Sequence, residues 1–147
     1  MARVVIFIPE EYRDYGYKTE GTVGFDICSL EDVEINPGEM KIVSTGVRVK
    51  VVEGNVFPAV FPRSSLPVKK SLLLANSVGI IDLDYCGRDD EIKLILYNFG
   101  KEKAVIKKGE RIAQIVFISF EKPEIEVTRD ISAFEKESRG GIGSTGL

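Results

Sequence analysis

Apolar positions in this chain come in short runs separated by polar turns, not in helical stripes. Val4-Val5-Ile6-Phe7-Ile8 is the first run. Met40 to Val52 is rich in β-branched residues, and Val47, Val49 and Val51 alternate with Arg48 and Lys50. A period of two sets the valines on one face and the charges on the other, as in a half-buried strand. Val56–Phe61, Ser71–Ala75, Val78–Ile81, Ile92–Tyr97 and Ile112–Phe120 complete the predicted strands. Turn residues separate them at Asn36-Pro37-Gly38, Glu53-Gly54-Asn55, Cys86-Gly87, Phe99-Gly100 and Lys108-Gly109. Many short strands at roughly ten-residue spacing predict an all-β jelly roll, sandwich or barrel. A single helical turn is predicted near Ser64-Ser65-Leu66, with Ser64 as its N-cap.

Two segments, Leu72-Leu73-Leu74 and Ile115-Val116-Phe117-Ile118, are apolar on both faces of a strand. Either they lie between two layers of one domain, or one face is buried against another subunit. The chain's end has a different character. Thr128 to Glu137 is polar without a clear period, and four of the last eight residues are glycine. Residues 1–127 are therefore expected to form the β domain, with 128–147 as a C-terminal arm. That arm is either a frayed tail or a mobile segment whose backbone N–H and hydroxyl groups wrap an anion.

Length and charge narrow the function. A chain of 147 residues holds one domain. With 20 Lys and Arg against 23 Asp and Glu, its net charge of −3 does not suit a nucleic-acid backbone. No apolar run approaches the ~20 residues of a membrane span. The start, Met1-Ala2-Arg3-Val4-Val5, lacks a signal peptide's layout. There is no His, which removes His bases, His-dependent triads and His zinc sites. Cys28 and Cys86 are too far apart for a paired-cysteine metal motif. Two unpaired thiols and no leader suggest a reducing cytoplasm. Any catalysis rests on carboxylates, hydroxyls, Arg or Lys, backbone groups and a hard cation such as Mg2+.

Several blocks carry candidate chemistry. Pro62-Arg63-Ser64-Ser65-Leu66 offers helix-start N–H groups and an arginine fork for phosphate, or simply a cap. Asn76 to Gly87 reads NSVGIIDLDYCG. In an extended segment its Asp82 and Asp84 point to opposite faces, so only one faces a given pocket. Gly79 permits close backbone approach, and Tyr85 offers a flat ring with a polar tip. A plain hairpin with two solvated acids accounts for the same letters. Asp26 lies in Thr22-Val23-Gly24-Phe25-Asp26-Ile27, and Gln114 in Arg111-Ile112-Ala113-Gln114. Each is unremarkable alone.

In order, TVGFDI, PRSSL, NSVGIIDLDYCG, RIAQ and GGIGSTG resemble the five motifs of the trimeric dUTPase family (deoxyuridine 5′-triphosphate nucleotidohydrolase), from Thr22 to Gly146. The resemblance implies a homotrimer of distorted jelly-roll or β-barrel subunits, the β-clip fold. Three active sites would lie at subunit interfaces, each closed by a flexible C-terminal arm. It implies hydrolysis of dUTP to dUMP and pyrophosphate by in-line water attack on the α-phosphorus. That keeps uracil out of DNA and supplies dUMP for dTMP synthesis. Asp82 would hold and deprotonate the water. Ser64 would contact the α–β bridging oxygen, and Arg63, Ser65 and Gln114 the phosphate oxygens. Mg2+ would be held mainly by the phosphates, with Asp26 reaching it through water. Asn76, Gly79, Ile80, Ile81 and Lys93 would surround the uracil, and Tyr85 would pack on the deoxyribose. Arg139, Ile142, Gly143 and Ser144 of the arm would close the site.

Related dCTP deaminases place a catalytic Glu three residues before the Asn of a Tyr-Asn pair. Here the pair is Tyr97-Asn98 and the position is Ile95, which cannot shuttle a proton. Two departures from the family stand out. Its tail carries Arg five residues before a uracil-stacking aromatic. Here Glu137 has that spacing, Arg139 stands three residues before, and Ile142 replaces the aromatic. YCGRDDEIK is also about three residues longer than the family's common YRGEIK. The other classes considered are a non-catalytic dUTPase-like binding protein and a structural jelly-roll protein.

Overall fold

In the computed structural model, which describes residues 1–146, the chain is all-β apart from one short helix and one 3-10 turn. All ladders are antiparallel. β1 (Arg3–Phe7) pairs with β5 (Arg48–Glu53), and β3 (Val33–Ile35) with β10 (Ala104–Ile106). A four-stranded sheet runs in the order β2 (Phe25–Cys28), β11 (Arg111–Ser119), β6 (Val56–Pro62), β8 (Gly79–Ile80). A three-stranded sheet runs β4 (Met40–Ser44), β9 (Lys93–Asn98), β7 (Leu72–Leu74). Helix α1 spans Ser65–Lys70.

The sheets share one core. Ile27, Ile35, Val43, Leu72, Leu94, Leu96, Ile106, Ile112 and Ile115 are fully buried and come from seven of the eleven strands. Each such side chain contributes about 1.5–3 kcal/mol by leaving water. The buried polar groups are satisfied. Asn98 donates to the carbonyls of Ile35 and Glu102, both at 2.8 Å, and accepts from the N–H of Gly100 at 2.8 Å. It thereby ties β9 to β3 and to the turn before β10. Tyr12 donates to the carbonyls of Cys28 and Thr45, and burial holds its hydroxyl far above the usual tyrosine range.

Three expectations need correction. The run from Met40 to Val52 is two strands. It breaks at Thr45-Gly46-Val47, so β4 joins the three-stranded sheet and β5 pairs with β1. Gly46 has φ +70°, and the buried Thr45 hydroxyl bonds the Ile92 carbonyl and the Val47 N–H. Ser64 sits at the N-cap position of α1, but its backbone is helical and its hydroxyl makes no capping bond. The pair Asp82 and Asp84 does not lie on an extended segment. Asp82 to Tyr85 is a turn closed by the Tyr85 N–H on the Asp82 carbonyl at 3.1 Å. Three short strands, β2, β3 and β10, were not predicted.

Of the two predicted double-sided segments, Ile115–Ile118 has no exposed residue, whereas Leu72–Leu74 is asymmetric. Leu72 and Leu74 are buried while Leu73 is exposed. Leu73 shares the outer face of its sheet with Met40, Ile42 and Tyr97, which are also exposed. Phe120 is the last described residue that is not exposed. Charged residues and Pro123 follow the last strand, and every described residue from Glu121 onward is exposed. The arm's last residue, Leu147, lies outside the described residues. No helix among the described residues is long and apolar enough to cross a membrane.

Candidate active site

Two separate clusters hold most of the candidate residues. The first gathers where β2, β11 and the end of β6 meet. Asp26 stands opposite Gln114 in the β2–β11 ladder. Its side chain is only 8% exposed, so its charge needs partners. Arg111 Nη1 donates to Asp26 Oδ2 at 2.9 Å, and Arg63 Nε lies 3.5 Å from Oδ1. Arg111 Nε also pairs with Asp14 at 3.0 Å, and Lys18 pairs with the same exposed carboxylate. That lysine holds the Asp14 carboxyl below its usual range. Gln114 Nε2 donates to the Pro62 carbonyl at 3.0 Å, fixing its amide beside the Arg63 backbone. A Cβ on Gly24 would collide with Gln114 Oε1, so the glycine of TVGFDI makes room for this amide.

Arg63, Ser64 and Ser65 follow directly from β6 into α1. The Ser64 hydroxyl, unused as a cap, is exposed. The cluster thus presents a buried carboxylate behind two guanidiniums, with hydroxyls and an amide beside them. Such a set binds phosphate oxygens through charge-assisted bonds. Arg111 was not among the residues assigned from sequence. Its signal was its place at the head of RIAQ, three residues before Gln114.

The second cluster is the loop that carries the chain from β7 in one sheet to β8 in the other, and the segment after it. Ser77 takes φ +65° in that loop, with its N–H on the Leu74 carbonyl at 3.0 Å. Asn76 is exposed beside it. Gly79 packs on β6, where a Cβ would meet Val60 Cβ at 3.1 Å. A cavity of about 300 Å³, the lower end of ligand-pocket size, is lined by Ile80, Ile81, Asp82, Tyr85, Lys93, Ile95 and Ile42, among others. Five of the sequence-assigned residues therefore share one wall. The Tyr85 hydroxyl donates to the Glu91 carbonyl at 2.8 Å. An adjoining open cavity is lined by Phe57, Leu83, Asp84 and Phe120 together with Ile80, Ile81 and Asp82. Asp84 thus shares a cavity with Asp82, as the turn dictates.

The two clusters do not meet within one chain. Gly79 pairs with Val60 and Ile80 with Ala59, and the Ile81 N–H bonds the Pro58 carbonyl. β8 and the residues after it therefore run away from Arg63, and Asp82 draws level with Phe57. Arg63, just past the end of β6, is six residue steps from Phe57, roughly 20 Å at 3.3 Å per residue. The arm residues Arg139, Ile142, Gly143 and Ser144 belong to neither cluster. All are exposed, in a segment with a turn from the Ser144 N–H to the Gly141 carbonyl at 3.0 Å.

Fold and clusters together define a β-clip protein with two arginines gathered on a buried carboxylate and an acid-bearing cavity wall. The chain belongs to the dUTPase family, whose model, described as dUTPase, matches residues 10–146. It is 41% identical over 132 residues to a deoxyuridine 5′-triphosphate nucleotidohydrolase of Hydrogenobaculum sp. (strain Y04AAS1), covering 89% of this chain and 88% of that one. The crystal structure of dUTPase from Streptococcus mutans matches with a TM-score of 0.72 at 32% identity. That match covers 81% of this chain and 98% of the other. The dUTPase of Staphylococcus bacteriophage 80alpha with dUPNHPP matches at TM-score 0.79 and 25% identity, over 99% of both chains.

Proposed function

We infer that the protein hydrolyses dUTP to dUMP and pyrophosphate, in sites that neighbouring copies of the chain build together. The observation that carries the shared site is the separation of roughly 20 Å between Asp82 and the Arg63 block. A triphosphate held at Arg63, Ser64, Ser65 and Gln114 cannot place its α-phosphorus beside the same chain's Asp82. It can do so beside Asp82 of a second copy. A homotrimer is the assembly we propose, with the apolar face of Met40, Ile42, Leu73 and Tyr97 as part of its interface.

In this reading Asp82 orients the attacking water and takes its proton. Its neighbours Ile80, Ile81 and Leu83 keep bulk water from that segment. Arg63, Ser65 and Gln114 hold phosphate oxygens, and Ser64 faces the α–β bridging oxygen where leaving-group charge grows. Such chemistry depends on positioning and charge stabilisation more than on covalent steps. Arg111 holds Asp26, which in turn keeps Arg63 near the phosphates. Asn76, Gly79 and Lys93 flank the base, and Tyr85 covers the sugar. Arg139, Ile142, Gly143 and Ser144 close over the nucleotide from the arm. The arm brings an aliphatic side chain where the family has an aromatic.

The chain's own residues fit a Mg2+ ion only in a limited way. No group of three or more acidic or Cys side chains converges among the described residues. Of the two carboxylates in this cluster, Asp14 is paired with both Arg111 and Lys18, and Asp26 is the one beside Arg63. Its Oδ1 has only the 3.5 Å contact to Arg63, which is longer than a hydrogen bond, so it can still accept from a water. Asp26 would therefore reach the metal through water while the phosphates hold it. When bound, the ion would neutralise charge on the triphosphate.

Ile95 supports hydrolysis over deamination. It lines the cavity as an aliphatic side chain at the position where the related deaminases carry their catalytic Glu, and an aliphatic group cannot shuttle a proton to an amine. The test is release of pyrophosphate from dUTP, dCTP, dTTP and UTP, each with Mg2+ and with EDTA. Release from dUTP alone, suppressed by EDTA, is expected. Ammonia from dCTP, or no release from dUTP, would overturn the reading.

A further inference from the structure

We propose that Arg48 is a positioning residue for Tyr85, acting through the segment Cys86–Asp90, and so sets the preference for deoxyribose over ribose. The proposal rests on the reading that the nucleotide sugar packs on Tyr85. That segment is where the chain is longer than the common pattern of its family, and the structure shows it latched on both sides.

The segment closes on itself first. The Tyr85 hydroxyl reaches across to the Glu91 carbonyl at 2.8 Å. Within the loop, the Gly87 N–H donates to Asp90 Oδ2 at 2.8 Å, and the Asp90 N–H to the Gly87 carbonyl at 3.2 Å. One end of the loop is then fixed to the Gly46 bend. The Gly46 N–H donates to Glu91 Oε1 at 3.3 Å, and the Ile92 N–H to the Val47 carbonyl at 2.8 Å. The bend is itself rigidly placed, since a Cβ on Gly46 would fall 2.6 Å from Pro9 Cγ.

Arg48 supplies the other latch. Its Nε donates to the Arg88 carbonyl at 2.9 Å, at the outer tip of the loop. Its Nη1 donates to the Gly46 carbonyl at 2.7 Å. The guanidinium carbon lies 5.5 Å from the centre of the Phe7 ring, within cation–π range. One planar fork therefore joins the tip of the loop to the bend that holds its far end. Lysine has a single ammonium and cannot span both carbonyls in this fixed plane. A longer loop has more conformations to visit, and only such cross-links confine it. The Tyr85 ring is anchored through the Glu91 carbonyl, so its position depends on this frame. A ring free to shift admits a 2′-hydroxyl that the fixed ring excludes by contact.

The test compares kcat/KM for dUTP and UTP in the full chain and in Arg48→Ala, Arg48→Lys and Tyr85→Phe. Losing one charge-assisted latch should reduce the dUTP preference of Arg48→Ala about tenfold. Arg48→Lys should recover only part of it. Tyr85→Phe should lose preference comparably. The double variant should be no worse than the poorer single one, because both act through one contact. Hydrogen exchange without nucleotide gives a readout apart from activity. Amides of residues 86–90 should exchange faster in Arg48→Ala, while those of β9 and β11 stay protected. An unchanged substrate preference, or unchanged exchange in the loop, overturns the proposal. If the parent chain hydrolyses dUTP but does not prefer it to UTP, the sugar role of Tyr85 fails and the proposal falls with it. If the parent chain does not hydrolyse dUTP at all, the functional reading itself has failed.

Discussion

Replacing Asp26 by asparagine tests whether the phosphate cluster is organised around a buried charge. The side chain is 8% exposed, with Arg111 Nη1 at 2.9 Å from one oxygen and Arg63 Nε at 3.5 Å from the other. Removing one partner of a buried ion pair costs about 3–5 kcal/mol, because the remaining charge is left uncompensated. Two features reduce that here. The asparagine oxygen can still accept from Arg111, and Arg111 keeps Asp14 at 3.0 Å. The expected loss is therefore ~2 kcal/mol for Asn, and ~3 kcal/mol, the low end of that range, for Ala, where only the Asp14 contact remains. For a chain of this size, ~2 kcal/mol is ~4–8 °C in melting temperature. Thermal melts at one fixed protein concentration measure it, since assembly would otherwise shift the midpoint. KM for dUTP should rise in the same variant, because Arg63 loses the anion that holds it near the phosphates. A variant that melts within ~1 °C of the parent, with an unchanged KM, would refute the arginine-anchor role.

Four other outcomes follow from the same geometry. Asp82→Asn should keep dUTP binding in calorimetry while single-turnover hydrolysis falls about 10^2-fold or more, the usual contribution of a positioned base; near-parental turnover would remove Asp82 from the mechanism. Ile42→Glu, on the exposed sheet face, should convert a species near three times 16.3 kDa into smaller ones in sedimentation equilibrium; a parent chain that sediments as a monomer would reject the shared site. Burial pushes the Cys28 thiol up to about 11, so at pH 8 it stays protonated. An aromatic disulfide reagent should therefore count one fast thiol in the native protein, the partly exposed Cys86, and two in denaturant; two fast thiols would contradict the burial. Deleting residues 138–147 should reduce kcat/KM strongly, with little change in melting temperature because the described part of that segment is exposed; an unimpaired truncated enzyme would make it a frayed tail.

Alternation along the chain revealed most strands, but it hid a break. Val43, Thr45, Val47 and Val49 are all buried, so the inward period runs unbroken through the bend between β4 and β5. Periodicity reports which face is buried and not which sheet a strand joins, and only Gly46 marked the change. β2, β3 and β10 are three or four residues long, too short for a period to stand out beside the turn residues around them. The candidate site was legible where a block is contiguous, as in the cavity wall of Ile80, Ile81, Asp82 and Tyr85. It was less so where partners meet across sheets. Arg111 reaches Asp26 only because β2 and β11 pair, a long-range fact that spacing does not carry. Gly24 likewise had no local reason until Gln114 was seen to occupy the place of its missing Cβ.

The separation of the two clusters gives the remaining exposed surface a common explanation. A single copy leaves Met40, Ile42, Leu73 and Tyr97 facing water on one sheet. Water contact with so much apolar side chain is unfavourable, by about 25 cal/mol for each Å² that a partner could cover. The same sheet face supplies Ile42, Lys93 and Ile95 to the cavity around Asp82. In the proposed function, assembly and nucleotide binding therefore draw on adjoining parts of one surface. A partner that covers the apolar part comes close to the cavity and can bring its own Arg63, Ser64 and Gln114 toward Asp82. In the proposed assembly, hydrophobic burial supplies the free energy, and the roughly 20 Å gap along β6 is closed by using two copies. Bending one chain to close the gap would instead break the β6–β8 and β6–β11 ladders that support β8.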